Sequence, residues 1–157
     1  MSSMSIERLK PADLGAHVGK VFGVSSWIVV DQQRINEFAR CTNDHQWIHV
    51  DVERAIRESP FGATVAHGFL TLALLAPTIF EVMLSRVEAK QAINYGLERV
   101  RFRAPVRAGR RVRNRLKIAS LEEKGAGRTL LTTENTIEIE GEDKPALIAL
   151  AQVMLMA

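Results

Sequence analysis

One stretch of the sequence decides the fold: Gly68-Phe-Leu-Thr-Leu-Ala-Leu-Leu-Ala-Pro-Thr-Ile-Phe-Glu-Val-Met-Leu84. Read as a helix, its first three turns are apolar on nearly every side, which is typical of a helix inside a core. Pro77 predicts a kink, and the charges that return after Phe80 predict emergence into solvent. A helix over residues 68–87 would be roughly 30 Å long, the width of a small domain. Its uncharged run is shorter than the roughly 20 residues of a membrane span, so we expect no membrane association.

On the C-terminal side of this stretch, the spacing of the apolar residues changes from the period of a helix to the two-residue period of a strand. In residues 111–120 and 130–140, apolar or small side chains alternate with charged ones, as in strands that bury one face. A hairpin turning on Gly125-Ala126 would join these two strands. That turn predicts a ladder of opposite charges: Arg111 with Glu140, Arg113 with Glu138 and Lys117 with Glu134. Such a ladder would specify the register of the pair.

The remaining elements complete one α+β domain over residues 1–157. They are predicted from β-branched runs and capping residues: strands over 19–30, 97–104 and 145–156, a helix over 32–41 after Asp31, and a short helix through Ile56 after Asp51. Ser59–Gly62 predicts a turn. We therefore expect an antiparallel sheet of about five strands around the long helix. At 157 residues, the chain is too short for a second, cofactor-binding domain.

Composition is typical of a globular protein. The hydrophobic fraction is 46% and the charged fraction 25%, which excludes a disordered or collagen-like chain. The single cysteine, Cys41, excludes an internal disulfide and is compatible with a reducing compartment. Residues 1–8 lack the basic start and apolar stretch of a secretory signal, so we expect a cytoplasmic protein.

Positive charge is concentrated in residues 98–128, which hold nine Arg and two Lys against three Glu, although the whole chain carries only +3. One interpretation is a solvated strand face, paired in part with the glutamates of the ladder. The other is a site for the phosphates of a ligand, because Arg99, Arg101, Arg103 and Arg107 have no obvious partner. Nucleic acid is not expected, since no aromatic side chains for base stacking interleave with these arginines.

The candidate catalytic residues lie within 25 residues of one another. Asp44 and His49 belong to a polar stretch after the first helix, which we read as a loop. His67 and Gly68 come where the apolar helix begins. There the first backbone N–H groups are free, and Gly68 lets a ligand oxygen approach them, so the sequence predicts an oxyanion site.

Each of these residues also has a structural interpretation. Asp44 could cap a turn, His49 could be a hydrogen-bonded structural residue, and His67 could position the backbone rather than transfer protons. His45 and His49 are spaced like metal ligands, but no third ligand follows at a recognisable spacing. Cys41 has no identifiable base nearby. We therefore expect no metal and no thiol nucleophile.

The order of these residues resembles the MaoC-like dehydratases, also called (R)-specific or type 2 enoyl-CoA hydratases. Their motif has Asp, four residues, His, and later a small residue followed by His and Gly at the start of a helix. The matching positions here are Asp44, His49 and Ala66-His67-Gly68. The resemblance continues through Asn94-Tyr95-Gly96 and Val100–Val106, so it covers nearly the whole chain. The segment Gln46-Trp47-Ile48-His49 is similar to the corresponding segment of the nodulation protein N-like subgroup.

This resemblance implies a hot-dog fold, a homodimer and a reaction that needs no cofactor. It implies that Asp44 and His49 activate a water, and that the Gly68 N–H binds the thioester carbonyl of an enoyl-CoA or acyl-carrier substrate. Thr71 and Thr78 are candidates for a hydroxyl that supports Asp44, as a serine does in some relatives. Substrate contacts are expected from Asn43, Gln46, Trp47, Phe61, Gly62, His67, Arg101 and Arg103.

Two other functions are compatible with these residues. A hot-dog thioesterase would use a carboxylate near the helix N-terminus to attack the carbonyl or to activate water there. The spacing of Asp44 and His49 disfavours it. A non-catalytic acyl-thioester-binding module would keep the fold and the basic surface without needing both residues.

Overall fold

Residues 8–157 are described by a computed structural model, in which one sheet packs against helices on one side. The expectation of a cytoplasmic protein rests mainly on residues 1–7, which lie outside the described residues. The helices are α1 (Gln32–Thr42), α2 (Trp47–Val50), α3 (Val52–Glu58), α4 (Gly68–Ala73) and α5 (Leu75–Val82). The strands are β1 (Val21–Val24), β2 (Ile28–Val30), β3 (Gln91–Phe102), β4 (Arg110–Gly125), β5 (Arg128–Ile139) and β6 (Leu147–Met156). Short 3₁₀ helices span Pro11–His17 and Leu84–Arg86.

The strands form an antiparallel sheet in the order β1-β4-β5-β6-β3, with β2 also paired to β4. The α+β class is confirmed, but the described residues contain six strands rather than five. The difference arises because the predicted strand 19–30 is interrupted after β1. There the N–H of Asn114 donates to the side-chain Oγ of Ser25 at 2.9 Å instead of to a backbone carbonyl.

The β4–β5 hairpin has the predicted register along its charged face. All three expected pairs face each other: Arg111 with Glu140, Arg113 with Glu138 and Lys117 with Glu134. The turn falls on Ala126-Gly127, one residue later than predicted, because two bulges in the pairing shift the register near the turn. Both turn residues have positive φ, as a two-residue hairpin requires. Each exposed ion pair contributes only about 0.2–1 kcal/mol, so the ladder mainly specifies register.

The long apolar helix predicted over residues 68–87 is divided into α4 and α5, with Leu74 between them. Pro77 causes the division. It has no N–H to donate to the carbonyl of Ala73, and its ring crowds that carbonyl. Pro77 itself lies in the first turn of α5, where an N–H needs no intrahelical partner.

One side of this helical segment is buried and the other is exposed. Leu70, Leu75 and Ile79 pack into the core against the sheet. On the opposite side, Phe69 and Phe80 are 69% and 60% exposed. The helical segment is central to the fold as expected, but it is buried on one side only, and not on nearly every side as its apolar sequence predicted. A groove separates this side from the edge strand β3, and the exposed side chains along it form what we call the apolar face: Phe69, Ala73, Ala76, Tyr95 and Leu97.

By length and composition alone, the segment Gly68–Arg86 is long and apolar enough to cross a membrane, with a mean hydropathy of 1.7. A helix in the core of a soluble domain can have the same length and apolar composition. Leu70, Leu75 and Ile79 are packed against the sheet, which supports the interpretation as a core segment. The expectation of no membrane association stays a prediction.

A buried polar cluster connects α5 to the middle of the sheet. The Asn114 side-chain amide nitrogen donates to the Thr78 hydroxyl at 3.1 Å and to the side-chain amide oxygen of Asn135 at 2.8 Å. The Thr78 hydroxyl donates to the carbonyl of Leu74 at 2.8 Å. Thr78 therefore does not support Asp44. Its hydroxyl instead helps to fix the position of α5 on the sheet, because buried polar groups are costly without partners.

Candidate active site

His49 lies in the single-turn helix α2 and not in a loop as predicted. Its side chain is 7% exposed, and its Nδ1 lies 2.6 Å from the carbonyl oxygen of Val65. Because a carbonyl oxygen can only accept, Nδ1 carries the proton in this hydrogen bond. The neutral ring therefore keeps its lone pair on Nε2, the nitrogen that can act as a base.

Two residues that the sequence did not indicate hold the backbone of His49. The Gln32 amide donates to the carbonyl oxygen of His49 at 2.8 Å. The hydroxyl of the buried Thr64 donates to the Gln32 amide oxygen at 2.5 Å. A polar residue in the first turn of a helix is common, so Gln32 gave no functional signal.

Asp44 follows the end of α1, which is closed by Asn43 in a left-handed conformation with φ of 61°. The Asp44 side chain is exposed, and its Oδ1 accepts from the Gln46 N–H at 3.4 Å. A carboxylate oxygen of Asp44 and one ring nitrogen each of His49 and His67 lie within 4.8 Å of one another. The structure thus brings the candidate acid and base together at a separation that one bridging water can span.

His67 is buried beside this pair, with 2% of its surface exposed. Its ring stacks on the ring of His49, with centroids 3.8 Å apart and an angle of 25° between the planes. Its Nε2 donates to the backbone carbonyl oxygen of Asp44 at 3.0 Å. His67 also precedes α4 as its N-cap residue.

These three side chains are also possible metal ligands, but the stacked rings disfavour that use. A transition metal needs each imidazole lone pair, which lies in the ring plane, directed at it from about 2.0–2.1 Å. Two nearly parallel planes 3.8 Å apart cannot direct both lone pairs at one ion unless a ring turns. The geometry favours a water between acid and base groups.

Gly68 is the first residue of α4 and borders a cavity of about 320 Å³. The cavity is also lined by His49, Phe61, Thr71 and Phe102. The Gly68 N–H lies at a helix start, where no intrahelical acceptor exists. Because α4 has only six residues, this N–H itself, more than the dipole of a long helix, is the candidate oxyanion donor.

Phe102 closes one side of this cavity, a role that the sequence did not indicate. A Cβ added to Gly68 would lie 3.1 Å from the Phe102 ring. The ring also meets Phe69 edge-on, with centroids 6.2 Å apart. Phe102 therefore lies between the candidate oxyanion donor and the apolar face.

The residues expected to contact substrate do not all reach the cavity. Phe61 and Arg103 line it, whereas Arg101 pairs with Ile148 on the exposed side of the sheet. Trp47 lies next to the cavity residue Ile48 and stacks against the Arg54 guanidinium, 4.2 Å from the ring centroid. Among the described residues, three more of the expected contacts are exposed and outside the lining: Asn43, Gln46 and Gly62.

Burial lowers the pKa of His49 from its ordinary value of 6.5, and repulsion from His67 acts in the same direction. The hydrogen bond to Val65 and the charge of Asp44 raise the pKa but do not outweigh burial. His49 therefore stays neutral, and able to accept a proton, to a lower pH than an exposed histidine.

Comparisons with known proteins agree with this architecture. Residues 13–141 match the MaoC-like domain family. Nodulation protein N of Rhizobium leguminosarum bv. viciae is 49% identical over 144 residues, 92% of this chain and 89% of the relative. The 3-hydroxyacyl-thioester dehydratase Z of Mycobacterium tuberculosis is 48% identical over 146 residues, 93% of this chain and 95% of the relative.

A solved structure shows the same fold. It is the X-ray structure of a monoamine oxidase regulatory protein from Archaeoglobus fulgidus, with a TM-score of 0.78 and 22% identity over 96% of this chain and 97% of that one. The expected hot-dog fold, an antiparallel sheet packed around the helical segment α4–α5, is thereby confirmed. The chain therefore belongs to the MaoC-like dehydratase family, with nodulation protein N and dehydratase Z among its close relatives.

Proposed function

We propose that this protein is an (R)-specific enoyl-CoA hydratase that also dehydrates the corresponding 3-hydroxyacyl thioester. One observation carries the proposal: the Asp44 carboxylate and a ring nitrogen of His49 lie within 4.8 Å of each other, and His49 lines the cavity that Gly68 borders. The name of the 48% identical relative, a 3-hydroxyacyl-thioester dehydratase, supports the same reaction class.

In the hydration direction, a water held between Asp44 and His49 attacks C3 of the trans-2-enoyl thioester. The new O–C3 bond forms as the C2=C3 electron pair moves towards the thioester oxygen, and the water gives up one proton. The lone pair on Nε2 of His49 is suited to accept that proton, and the pair of groups returns one proton to C2. Atoms balance, because one water is added and both catalytic groups end as they began.

The thioester oxygen gains negative charge during this step. The proposed donor to it is the Gly68 N–H, which the short helix α4 leaves without an internal acceptor. The missing Cβ of Gly68 leaves space for the oxygen beside Phe102. The proposed reaction uses water, two side chains and one backbone N–H, so it needs no cofactor.

We also propose that the protein is a cytoplasmic homodimer. In the described residues, β3 pairs only with β6, so its other edge is open along a 12-residue strand. The apolar face lies next to this open edge. A second copy pairing along β3 would cover both the unpaired backbone groups and the apolar side chains.

In the pH dependence of kcat/KM for hydration, we expect the decrease on the acid side to have its midpoint below pH 6.5. Hydration needs neutral His49, and the lowered pKa of His49 keeps it neutral below its ordinary value of 6.5. As pH falls through that lowered pKa, His49 becomes protonated and kcat/KM decreases. Initial rates between pH 4.5 and 8 would measure this decrease, and a midpoint at or above 6.5 would contradict the assigned base.

Replacing Arg103 with Ala is expected to raise KM for CoA esters roughly tenfold, because one charge-assisted hydrogen bond to a phosphate is lost. Arg103 lines the cavity, whereas Arg101 lies on the exposed side of the sheet. Arg101→Ala removes the same charge and is therefore the matched control, with a smaller expected effect. Equal KM changes in the two variants would contradict a local phosphate contact.

The test of the proposed function is a hydration assay with crotonyl-CoA and longer trans-2-enoyl-CoAs. We expect loss of the absorbance of the conjugated thioester, with formation of the (R)-3-hydroxyacyl product. Release of free CoA without hydration would instead identify a thioesterase. Tight acyl-CoA binding without turnover at any chain length would identify a binding module.

A further inference from the structure

We infer that His67 is a positioning residue that holds the carboxylate-bearing turn of Asp44 against His49. This inference rests on the proposed function, because it concerns the same water site. His67 does not need to touch the substrate for this role. It acts on Asp44 through the backbone and on His49 through the ring.

The hydrogen bonds of Asp44 show why it needs such support. The bond from the Asp44 N–H to the Thr42 hydroxyl and the bond from the Gln46 N–H to the Asp44 carboxylate are both 3.4 Å long, near the limit of a hydrogen bond. The bond from His67 Nε2 to the Asp44 carbonyl oxygen is 3.0 Å. It is the shortest hydrogen bond of Asp44 within residues 8–157.

Two neighbouring rings pack against the His67 ring and fix its position. The His49 ring stacks on it with centroids 3.8 Å apart, and the Phe38 ring lies with its centroid 5.0 Å away at an angle of 52°. The backbone carbonyl of His67 accepts from the Leu70 N–H at 3.0 Å, which joins it to the first turn of α4. One residue thus connects the candidate acid, the candidate base and the helix that begins with Gly68.

The second nitrogen of His67 indicates that this side chain does more than fill space in the core. Within the described part of the chain, Nδ1 of His67 is buried and has no hydrogen-bond partner. An unpaired buried acceptor destabilises a fold, so an apolar side chain would pack this position better. The hydrogen bond from Nε2 to the Asp44 carbonyl oxygen and the stacking of the ring on His49 compensate for the cost of the unpaired Nδ1.

The matched test compares His67→Gln with His67→Asn. The amide nitrogen of Gln reaches the position of Nε2 and can donate to the Asp44 carbonyl, whereas the amide of Asn is one bond too short. Both variants bury an uncharged amide and lose the ring, so they differ mainly in this hydrogen bond. We expect His67→Asn to lower kcat about 10²-fold, the effect of a displacement of about 1 Å, with little change in KM. His67→Gln should recover most of kcat.

A third variant, His67→Phe, keeps the ring and removes the donor, and we expect its kcat to fall as in His67→Asn. Thermal melting of each variant shows whether it is folded. If His67→Asn does not fold, His67→Gln and His67→Phe still compare a side chain that can donate this hydrogen bond with one that cannot. Equal kcat in the Gln and Asn variants, or wild-type kcat in the Phe variant, would overturn the inference. An inactive wild-type enzyme would overturn the proposed function instead.

Discussion

Asp44→Asn and His49→Asn are each expected to lower kcat for enoyl-CoA hydration by about 10²–10⁴-fold, the usual contribution of a positioned acid or base. In Asp44→Asn the side chain keeps the shape of the aspartate, but its amide cannot take up a proton. In His49→Asn the amide nitrogen occupies the place of Nδ1 and can still donate to the Val65 carbonyl, while the basic Nε2 is lost. Initial rates on the best enoyl-CoA would measure both effects.

His45→Asn is the control for these two variants. His45 is exposed and lies next to Asp44 in the sequence, but it does not belong to the group formed by Asp44, His49 and His67. We expect its kcat to stay within about twofold of wild type. The double variant of Asp44 and His49 should be little worse than either single variant, because both groups act on one water. Single variants that keep more than a third of kcat would contradict the proposed mechanism.

Leu97→Glu is expected to separate the proposed dimer into monomers. Leu97 is 48% exposed on the edge strand β3 and belongs to the apolar face. Dimerisation along β3 would bury this carboxylate near its symmetric copy, and an unpaired buried charge costs several kcal/mol. Light scattering after size-exclusion chromatography would show the molecular mass reduced by half.

The same change should also reduce activity, because Phe69 of the apolar face packs edge-on against Phe102, which lines the cavity beside Gly68. The control is Ile56→Glu. Ile56 is 61% exposed on α3, away from β3, so the mass should be unchanged. A wild-type protein that is monomeric at all concentrations, or a dimer that survives Leu97→Glu, would contradict the proposed interface.

The sequence predicted those parts of the fold that depend on local patterns. Asp31 and Asp51 cap α1 and α3 as expected, since each carboxylate accepts a backbone N–H from the residue three positions later. The charge ladder of β4 and β5 was also correct. The interruption of strand 19–30 was not predicted, because it depends on a contact between Ser25 and Asn114, residues distant in sequence.

The candidate site was predicted to a similar extent. The sequence order of Asp44, His49, His67 and Gly68 indicated a common site, and the structure places the first three together. The residues that hold this site in place could not be predicted. Gln32 bonds to the backbone of His49 and Phe102 packs beside Gly68, although both are distant from these residues in sequence. The separation of Arg101 from Arg103 required the pairing of β3 with β6, which spacing along the chain does not reveal.

The two-residue turn at Ala126-Gly127 has a consequence for the order of folding. It joins β4 and β5 by a very short loop. In contrast, Val24 of β1 and Arg115 of β4 are paired although most of the chain separates them in sequence. Short loops close faster and lose less chain entropy, so we expect the β4–β5 hairpin to form early and β1–β4 pairing to form late. Residues 44–68 belong to no strand of the sheet, so we expect them to become ordered only when they pack onto it. In a refolding experiment, catalytic activity should therefore return after the hairpin amides have become protected from hydrogen exchange.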